Sequence, residues 1–308
     1  MLSLRPRVEL SIPVAAKHVP SGGELRNVRR AVGENRTVVV FSLTDSAYHA
    51  LGERLGQGNG GAALREAFEK LGVDEVFRTD CCWDDLAHAE ARELLSRMND
   101  GLPLPLLLYA CPVWARAVRE ARPDCAPFFS GASLNAQRQG IAARARVAVR
   151  RGIAPERIAH VTVVGCPARK AALLAGGMDA RVCGGEEHVL TVREVLSWLV
   201  EEGVAAPGSP KTAASAAGRR GPAGRLHDVL AHAWLIENGA LPPSGFLRLE
   251  PCLELAGVTQ GEVELGGKTI RAAKVRGVEN AYALLSRVRE GSARFDLVEA
   301  LSCASGCV

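Results

Sequence analysis

Three cysteines of this chain lie at or just past the ends of apolar runs that are typical of buried strands. The runs read LLLYACPVW, VTVVGCPARK and DLVEALSCASGC. The third run ends in one more cysteine, which directly precedes the last residue of the chain. Ligands of α/β sheets collect beyond the carboxyl ends of the strands, so strands of this kind can aim their thiols at a single point. The four residues, termed the motif cysteines, are Cys111, Cys166, Cys303 and Cys307.

Four converging thiolates indicate a soft metal, either zinc or an iron–sulfur cluster. The motif cysteines contain no C-x-x-C pair, which disfavours zinc ribbons and ferredoxin-type loops. The alternative is purely structural, because cysteine is a common core residue and strand ends are often buried. Three further cysteines that match no motif, Cys125, Cys183 and Cys252, are expected to be structural.

The strands that would position these cysteines alternate with amphipathic helices from about residue 35 onward. RTVVVFSL and HVTVVG read as buried strands, whereas GAALREAFEKLGV and TVREVLSWLVEEG have helical periodicity. Thr191 and Glu194 match a capping box, and Gly266 and Gly267 match the turn of a β-hairpin. This alternation predicts an α/β fold with mainly parallel sheets that are covered by helices.

The chain of 308 residues is long enough for one large α/β domain or for two lobes. Residues 1–34 show no sustained period and are expected to form an N-terminal extension, so the folded domain is predicted to span residues 35–308. Within it, residues 203–224 are rich in Gly, Ala, Pro and Ser and predict a loop or linker.

The composition argues against several classes of protein. Apolar residues make up 47% and charged residues 23%, as in ordinary soluble proteins, and a net charge of +4 does not indicate nucleic-acid binding. Arg5, Arg7 and Glu9 interrupt the N-terminal apolar residues, and the most apolar run, LPLPLLLYACPVW, is too short to cross a bilayer. We therefore expect a cytoplasmic protein that binds neither nucleic acid nor membrane, and in which the nine cysteines do not form a disulfide framework.

The three cysteine segments, in this order, resemble the signature motifs of the catalytic (H-cluster) domain of the iron-only, or FeFe, hydrogenases. The family motifs T-S-C-C-P-x-W, M-P-C-x-x-K-x-x-E and E-x-M-A-C-x-x-G-C-x-x-G-G-G are matched by LYACPVW, VGCPARKAA and EALSCASGCV. The likeness extends from about Asn35 to the end of the chain, through segments such as HAEARELLSRMNDG and ENAYALLSRVREGSARFDLVEA. It implies a two-lobed fold of mainly parallel sheets flanked by helices, with the cluster site between the lobes.

The resemblance also implies the cofactors and the site residues. The motif cysteines match those that hold a 4Fe–4S cluster, and Cys307 matches the one that also bridges to a diiron unit. Glu90, Glu93 and Ser130 match the two carboxylates and the hydroxyl that relay protons to the site. Arg169 stands where the family has a lysine that holds a cyanide ligand of the diiron unit.

Departures from the family motifs decide which chemistry we expect. Ala110 replaces the cysteine that hands protons to the diiron unit, and a methyl group cannot carry a proton. General acid–base transfer contributes roughly 10² to 10⁴ in rate, so fast hydrogen turnover is not expected. Lys170 lies one residue out of register with the missing lysine and could replace it only if the turn shifted. In the third motif Glu299 is kept, whereas Leu301 replaces the methionine.

Three functions follow from these matches and departures. The favoured one is a divergent hydrogenase with impaired proton transfer, in which hydrogen oxidation and proton reduction are slow or serve sensing. The second is a non-catalytic 4Fe–4S protein similar to the hydrogenase-like proteins of cytosolic iron–sulfur assembly, which also read A-C-P-x-W. The third is a degenerate copy that keeps the fold without a cluster.

The expected partners follow from the same comparison. No C-x-x-C-x-x-C run precedes the domain in this sequence, so we do not expect the accessory clusters of many relatives. Electrons would therefore come from a partner such as a ferredoxin or a separate cluster-bearing subunit. Hydrogenase maturation proteins would be needed if the diiron unit is inserted.

Overall fold

The computed structural model describes eight stretches of the chain, which contain all of the elements below. These stretches are 23–34, 37–55, 61–78, 80–108, 111–131, 136–175, 187–206 and 224–303. Their helices are α1 (Gly23–Gly33), α2 (Asp45–Arg54), α3 (Gly61–Lys70), α4 (Asp80–Asp100), α5 (Pro112–Ala121), α6 (Ala136–Arg151), α7 (Pro167–Ala175), α8 (Val192–Glu201), α9 (Gly224–Asn238) and α10 (Val278–Arg289). Within the described stretches, no helix is both long enough and apolar enough to cross a membrane.

The strands form two sheets, and the predicted α/β fold with mainly parallel strands is confirmed. The strands are β1 (Val38–Leu43), β2 (Glu75–Arg78), β3 (Leu106–Leu108), β4 (Ile158–Val164), β5 (Glu187–Thr191), β6 (Glu250–Pro251), β7 (Val258–Leu265), β8 (Lys268–Arg276) and β9 (Leu297–Leu301). The first sheet has the order β2-β1-β4-β5 and is parallel throughout. The second has the order β3-β9-β8-β7-β6, in which β9 is parallel to both of its neighbours and the β6–β7–β8 edge is antiparallel.

Helices cover both faces of each sheet, which explains the continuous apolar runs of the central strands. In the first sheet, alternate residues of β1 and β4 face two separate apolar clusters, one of which includes Phe41 and Val161 and the other Val40 and Ile158. In the second sheet, β3 and β9 likewise supply side chains to two clusters on opposite faces. Strands that are buried on both sides have little freedom to change register, so the positions at their carboxyl ends are well defined.

Two predicted local features are confirmed. Thr191 and Glu194 form the expected capping box at the start of α8, in which Glu194 N donates to Thr191 Oγ1 (3.3 Å) and Thr191 N donates to Glu194 Oε2 (2.8 Å). Gly266 and Gly267 form the turn between β7 and β8 with φ values of 58° and 74°, a left-handed conformation that glycine adopts without strain.

The structure differs from the sequence expectation in three places. The segment that was expected to be an extension contains α1, which buries Val28 and Ala31 against the first sheet. β5 was not predicted because its polar residues Glu187 and His188 interrupt the apolar pattern, and each of them is paired inside the fold. α2 was also not predicted. Most of the predicted 203–224 loop lies outside the described residues, and Gly224 already begins α9.

A buried polar network joins the first sheet to α6. His160 on β4 bonds through Nδ1 to Glu187 Oε2 (2.8 Å) and through Nε2 to Ser42 Oγ (2.7 Å). Arg144 on α6 forms an ion pair with Glu187 at 2.5 Å, and both side chains are at most 3% exposed. Removal of one partner of such a pair leaves a buried charge without its counterion, which is strongly destabilising.

We therefore expect Arg144→Met to lower the free energy of unfolding by about 3–5 kcal/mol. The matched control is Arg146→Met on the same helix, where the exposed Arg146 only stacks on the ring of Phe77 and should contribute less than about 1 kcal/mol. Urea unfolding followed by circular dichroism measures both. Equal losses for the two variants would contradict a stabilising role of the buried pair.

Candidate metal centre

Cys111 and Cys166 occupy equivalent positions at the N-termini of α5 and α7. Each directly precedes a proline that is the first residue of its helix. Each also accepts the first intrahelical hydrogen bond, from Ala115 N to Cys111 O (3.0 Å) and from Lys170 N to Cys166 O (3.2 Å). Proline is favoured at the first helical position, and the positive end of the helix dipole favours negative charge on a nearby sulfur.

The second sheet places Cys303 beside Cys111. β3 and β9 are parallel neighbours that pair Leu106 with Leu297, and the two cysteines follow the carboxyl ends of these strands. A contact across the two strand ends, between Cys111 Sγ and Ser302 Oγ, measures 3.3 Å. The adjacent carboxyl ends of parallel strands therefore bring two motif cysteines to one edge of the sheet.

Cys166 approaches from the first sheet, since it follows β4, and α7 packs against α5. The surrounding protein removes part of the water around the Cys303 thiol and so raises its pKa, although the residue as a whole is exposed, and the nearby Cys111 and Cys166 raise this pKa further through charge repulsion. Cys111 is buried, Cys166 is half-buried and Cys303 is exposed. The structure thus brings three of the motif cysteines together, whereas Cys307 lies outside the described residues.

Among the described residues, no group of three or more His, Cys, Asp or Glu side chains is arranged to hold a metal ion. Two of the sulfurs also have polar neighbours, because Arg169 N donates to Cys166 Sγ (3.3 Å) in addition to the Ser302 contact. Such hydrogen bonds are typical around cluster sulfurs.

Lys170 does not replace the lysine that the second motif lacks. Its ammonium group is buried and lies 2.6 Å from Glu194 Oε1 at the start of α8. No shift of the turn has brought Lys170 into the register of Arg169, which stays at the first turn of α7 and bonds Cys166 through its backbone.

Glu93 and Ser130, two of the three residues matched to the proton route, are in direct contact. Ser130 Oγ donates to Glu93 Oε2 at 2.9 Å, and Gly131 N donates to the same oxygen at 3.0 Å. Arg97, which the sequence analysis missed, donates through Nη2 to the other carboxylate oxygen at 2.6 Å. The spacing of four residues between Glu93 and Arg97 on a helix was the available signal for this ion pair.

Glu90 is buried one turn earlier on α4 and is paired with a different arginine. Arg225 Nη2 donates to Glu90 Oε2 at 2.5 Å, whereas Glu90 Oε1 has no hydrogen-bond partner among the described residues. Burial raises the pKa of the Glu90 carboxyl to about 7, and Arg225 partly opposes this increase. No local pattern of residues indicated this pair, because Arg225 directly follows the predicted loop and is 135 residues from Glu90.

A second buried carboxylate, Glu299 of the third motif, lies in the same region. It accepts a hydrogen bond from Leu226 N (3.1 Å), and its nearest cation is Lys274 Nζ at 3.7 Å. Burial raises the pKa of Glu299 above its ordinary value, and the charge of Glu299 in turn contributes to the raised pKa of Glu90. A Cβ atom at Gly224 would lie 2.6 Å from Lys274 Nζ, so a glycine at the start of α9 leaves room for this cation.

Comparison with known proteins relates the chain to two groups. A family model described as the iron only hydrogenase large subunit, C-terminal domain, matches residues 37–308. Iron hydrogenase 1 of Clostridium pasteurianum is 23% identical over 96% of this chain and 53% of its own length, so the chain spans about half of that relative. The cytosolic Fe-S cluster assembly factor narfl of Danio rerio is 27% identical over 92% of this chain and 74% of its own length.

Solved structures show the same fold. The apo form of the FeFe-hydrogenase HydA1 from Chlamydomonas reinhardtii superposes with a TM-score of 0.74 and covers 92% of this chain and 82% of that one. Its sequence identity is 20%, so the likeness concerns the architecture. The structure of HydA(deltaEFG), described as revealing stepwise assembly of the FeFe-hydrogenase H-cluster, gives a TM-score of 0.73 at 21% identity, with 92% and 83% of the two chains covered.

The raised pKa of Glu90 predicts a pH dependence of stability. An acid whose folded pKa is about 7, against an ordinary value of 4.5, contributes stability that is complete below pH 4.5 and is lost as the pH rises through 7. The free energy of unfolding should therefore decrease more from pH 5 to pH 8 in the wild type than in Glu90→Gln. The pH-independent cost of leaving Arg225 without its carboxylate cancels in this comparison of slopes.

The matched control for this prediction is Glu262→Gln at an exposed position on β7, which should keep the wild-type pH profile. Infrared titration gives a second readout, because a protonated carboxyl band that is absent from Glu90→Gln should disappear with a midpoint near pH 7. Parallel pH profiles of the wild type and Glu90→Gln would show that Glu90 is ionised throughout this range.

Proposed function

Because the chain belongs to the family of the iron only hydrogenase large subunit, C-terminal domain, we propose that it is an iron–sulfur redox protein whose motif cysteines hold a 4Fe–4S cluster. The observation that carries this proposal is the approach of Cys303 to Cys111 and Cys166 from two different sheets. Cys307, four residues beyond Cys303, is proposed as the fourth ligand on the match to the third motif.

The surroundings of the sulfurs support this assignment. Two helix N-termini face Cys111 and Cys166 and favour the negative charge of an iron-bound thiolate. The contacts of Ser302 and Arg169 with the sulfurs supply polar neighbours for a charged group at a partly buried site. When bound, a cluster of this type accepts and releases single electrons, and the chain supplies its ligands, its hydrogen bonds and its access to a partner.

We propose that electrons are exchanged with a separate protein, such as a ferredoxin or another cluster-bearing subunit, and that the protein is cytoplasmic. The described cysteines Cys111, Cys125, Cys166, Cys252 and Cys303 form no disulfide with one another. Cysteines that remain unpaired are typical of a reducing compartment, which supports a cytoplasmic location.

Hydrogen chemistry at an additional diiron unit is the favoured role within this proposal. It is supported by the contact between Ser130 and Glu93 and by a Glu90 carboxyl that changes its protonation state near neutral pH. Proton exchange by Glu90 would require its carboxyl to separate from Arg225. Since Ala110 replaces the proton-donating cysteine, such hydrogen oxidation or proton reduction would be slow or would serve sensing.

A non-catalytic iron–sulfur role is the second candidate. Arg225 and Arg97 hold the two carboxylates of the proton route in ion pairs, and Lys170 is bound to Glu194 and not available for a cyanide ligand. The similarity to the cytosolic Fe-S cluster assembly factor narfl also favours a role related to iron–sulfur cluster assembly. A fold without any cluster is the third outcome, and the experiments below distinguish it.

The cluster assignment predicts the iron content of cysteine variants. Wild-type protein reconstituted anaerobically should contain about four irons and four sulfides per chain. Cys166→Ser and Cys303→Ser should lose most of both, because each removes one ligand. Iron and acid-labile sulfide assays measure the loss, and circular dichroism confirms folding.

The matched control for the ligand variants is Cys252→Ser, a half-buried cysteine that is packed against an apolar cluster, and it should keep the full iron content. Folded wild-type protein that takes up no iron would refute the proposal and would favour the cluster-free copy. Equal iron loss in Cys252→Ser and Cys303→Ser would refute the assignment of the ligands.

Infrared spectroscopy separates the two iron-containing candidates. After anaerobic maturation with hydrogenase maturation proteins, hydrogen chemistry predicts infrared bands of iron-bound carbon monoxide and cyanide. The non-catalytic role predicts that these bands are absent and that the reduced cubane gives a paramagnetic resonance signal. If the bands appear, Ala110→Cys should raise hydrogen turnover by about 10²-fold or more, since it restores a proton-carrying thiol. A cysteine at the exposed Ala145 of α6 is the matched control and should leave turnover unchanged.

A further inference from the structure

Ser302 is the side chain that links two of the motif cysteines across the second sheet. It directly follows the last residue of β9 and directly precedes Cys303. Its Oγ lies 3.3 Å from the sulfur of Cys111, at the end of the neighbouring strand β3, although the two residues are 191 positions apart in the sequence. The hydroxyl of Ser302 therefore connects the strand end that carries Cys111 with the strand end that carries Cys303.

Coordination of iron would fix the direction of this hydrogen bond. In a free thiol either the sulfur or the hydroxyl can donate. A cysteine that binds iron has lost its proton and its sulfur can only accept, so the Ser302 hydroxyl must be the donor. The structure thus assigns to Ser302 the role of a hydrogen-bond donor to a ligand sulfur.

The surroundings make this hydrogen bond electrostatically effective. Cys111 is 6% exposed and belongs to an apolar cluster that includes Trp114 and Val298. Hydrogen bonds act more strongly in such low-dielectric surroundings than in water. A second polar neighbour of a ligand sulfur, Arg169 N, is a backbone group of α7 and contacts Cys166.

Resting on the cluster proposed above, we propose that Ser302 is a positioning residue that raises the reduction potential of the cluster through its hydrogen bond to Cys111. One electron added to the cluster increases the negative charge on the ligand sulfurs, so a donor to a sulfur stabilises the reduced state more than the oxidised state. The family motif E-x-M-A-C has alanine at the position of Ser302, so this donor is a feature of the present chain. With serine at this position, the cluster has a higher reduction potential than it would have with alanine. It can therefore be reduced by a less strongly reducing partner.

The test is a redox titration with dithionite, followed by the paramagnetic resonance of the reduced cluster. We expect Ser302→Ala to shift the midpoint potential to lower values. The pair Ser302→Thr and Ser302→Val separates the hydroxyl from the shape of the side chain, so Thr should keep a potential near that of the wild type and Val should resemble Ala. Ser292→Ala, which removes a serine hydroxyl that bonds to Arg287 O, should leave the potential unchanged.

The outcomes separate this inference from the cluster proposal. Wild-type protein without iron refutes the cluster, whereas an intact cluster with the same potential in the Ala, Val and Thr variants refutes the role of Ser302 alone. Loss of the cluster in Ala and Val but not in Thr supports the hydrogen bond as a requirement of the site. Loss in all three, Thr included, overturns the inference, because the side chain would then act through its size.

Discussion

The parallel pairing of β3 with β9 is the constraint on which the candidate centre depends. Two strands that are almost 200 residues apart in the sequence must end side by side for Cys111 and Cys303 to meet, and the pairing of Leu106 with Leu297 sets this alignment. Both faces of these strands are buried under helices, so a one-residue shift in register would exchange side chains between two apolar clusters that are packed separately. The packing of the core therefore also determines the positions of the two cysteines in this sheet.

The first sheet contributes Cys166 through the same local arrangement of strand, cysteine and helix that positions Cys111 in the second sheet. A buried strand ends, a cysteine follows, and a proline begins the next helix, so Cys111 and Cys166 each lie at a helix N-terminus. The packing of α5 against α7 then joins the two sheets at this point. A sulfur in this position faces the positive end of a helix dipole, and that preference exists whether or not iron is bound.

The buried charges beside this centre are arranged in pairs, and each pair restrains a group that could carry a proton. Arg225 bonds Glu90, Arg97 bonds Glu93, and Lys170 bonds Glu194. Charges that are removed from water are stable only with such partners, so these contacts stabilise the fold and limit the mobility of the carboxylates. Glu90 remains the exception in its titration, because its burial outweighs the effect of Arg225 and raises its pKa to about 7. The same chain thus combines a cysteine-rich centre with partly or fully buried carboxylates that are held by cations.

By itself, the sequence determined the α/β class, the mainly parallel strands, the capping box at Thr191 and the candidate ligands, because these depend on local periodicity and on motifs within a few residues. It did not reveal β5 or α1, whose polar residues are satisfied by distant partners such as His160 for Glu187 and His188 for Glu24. Only the tertiary structure decided that Arg225 pairs with Glu90, that Lys170 is held by Glu194 and that Ser302 contacts Cys111. Each of these contacts joins residues from different elements, and their energies depend on burial and distance, which no local pattern of residues records.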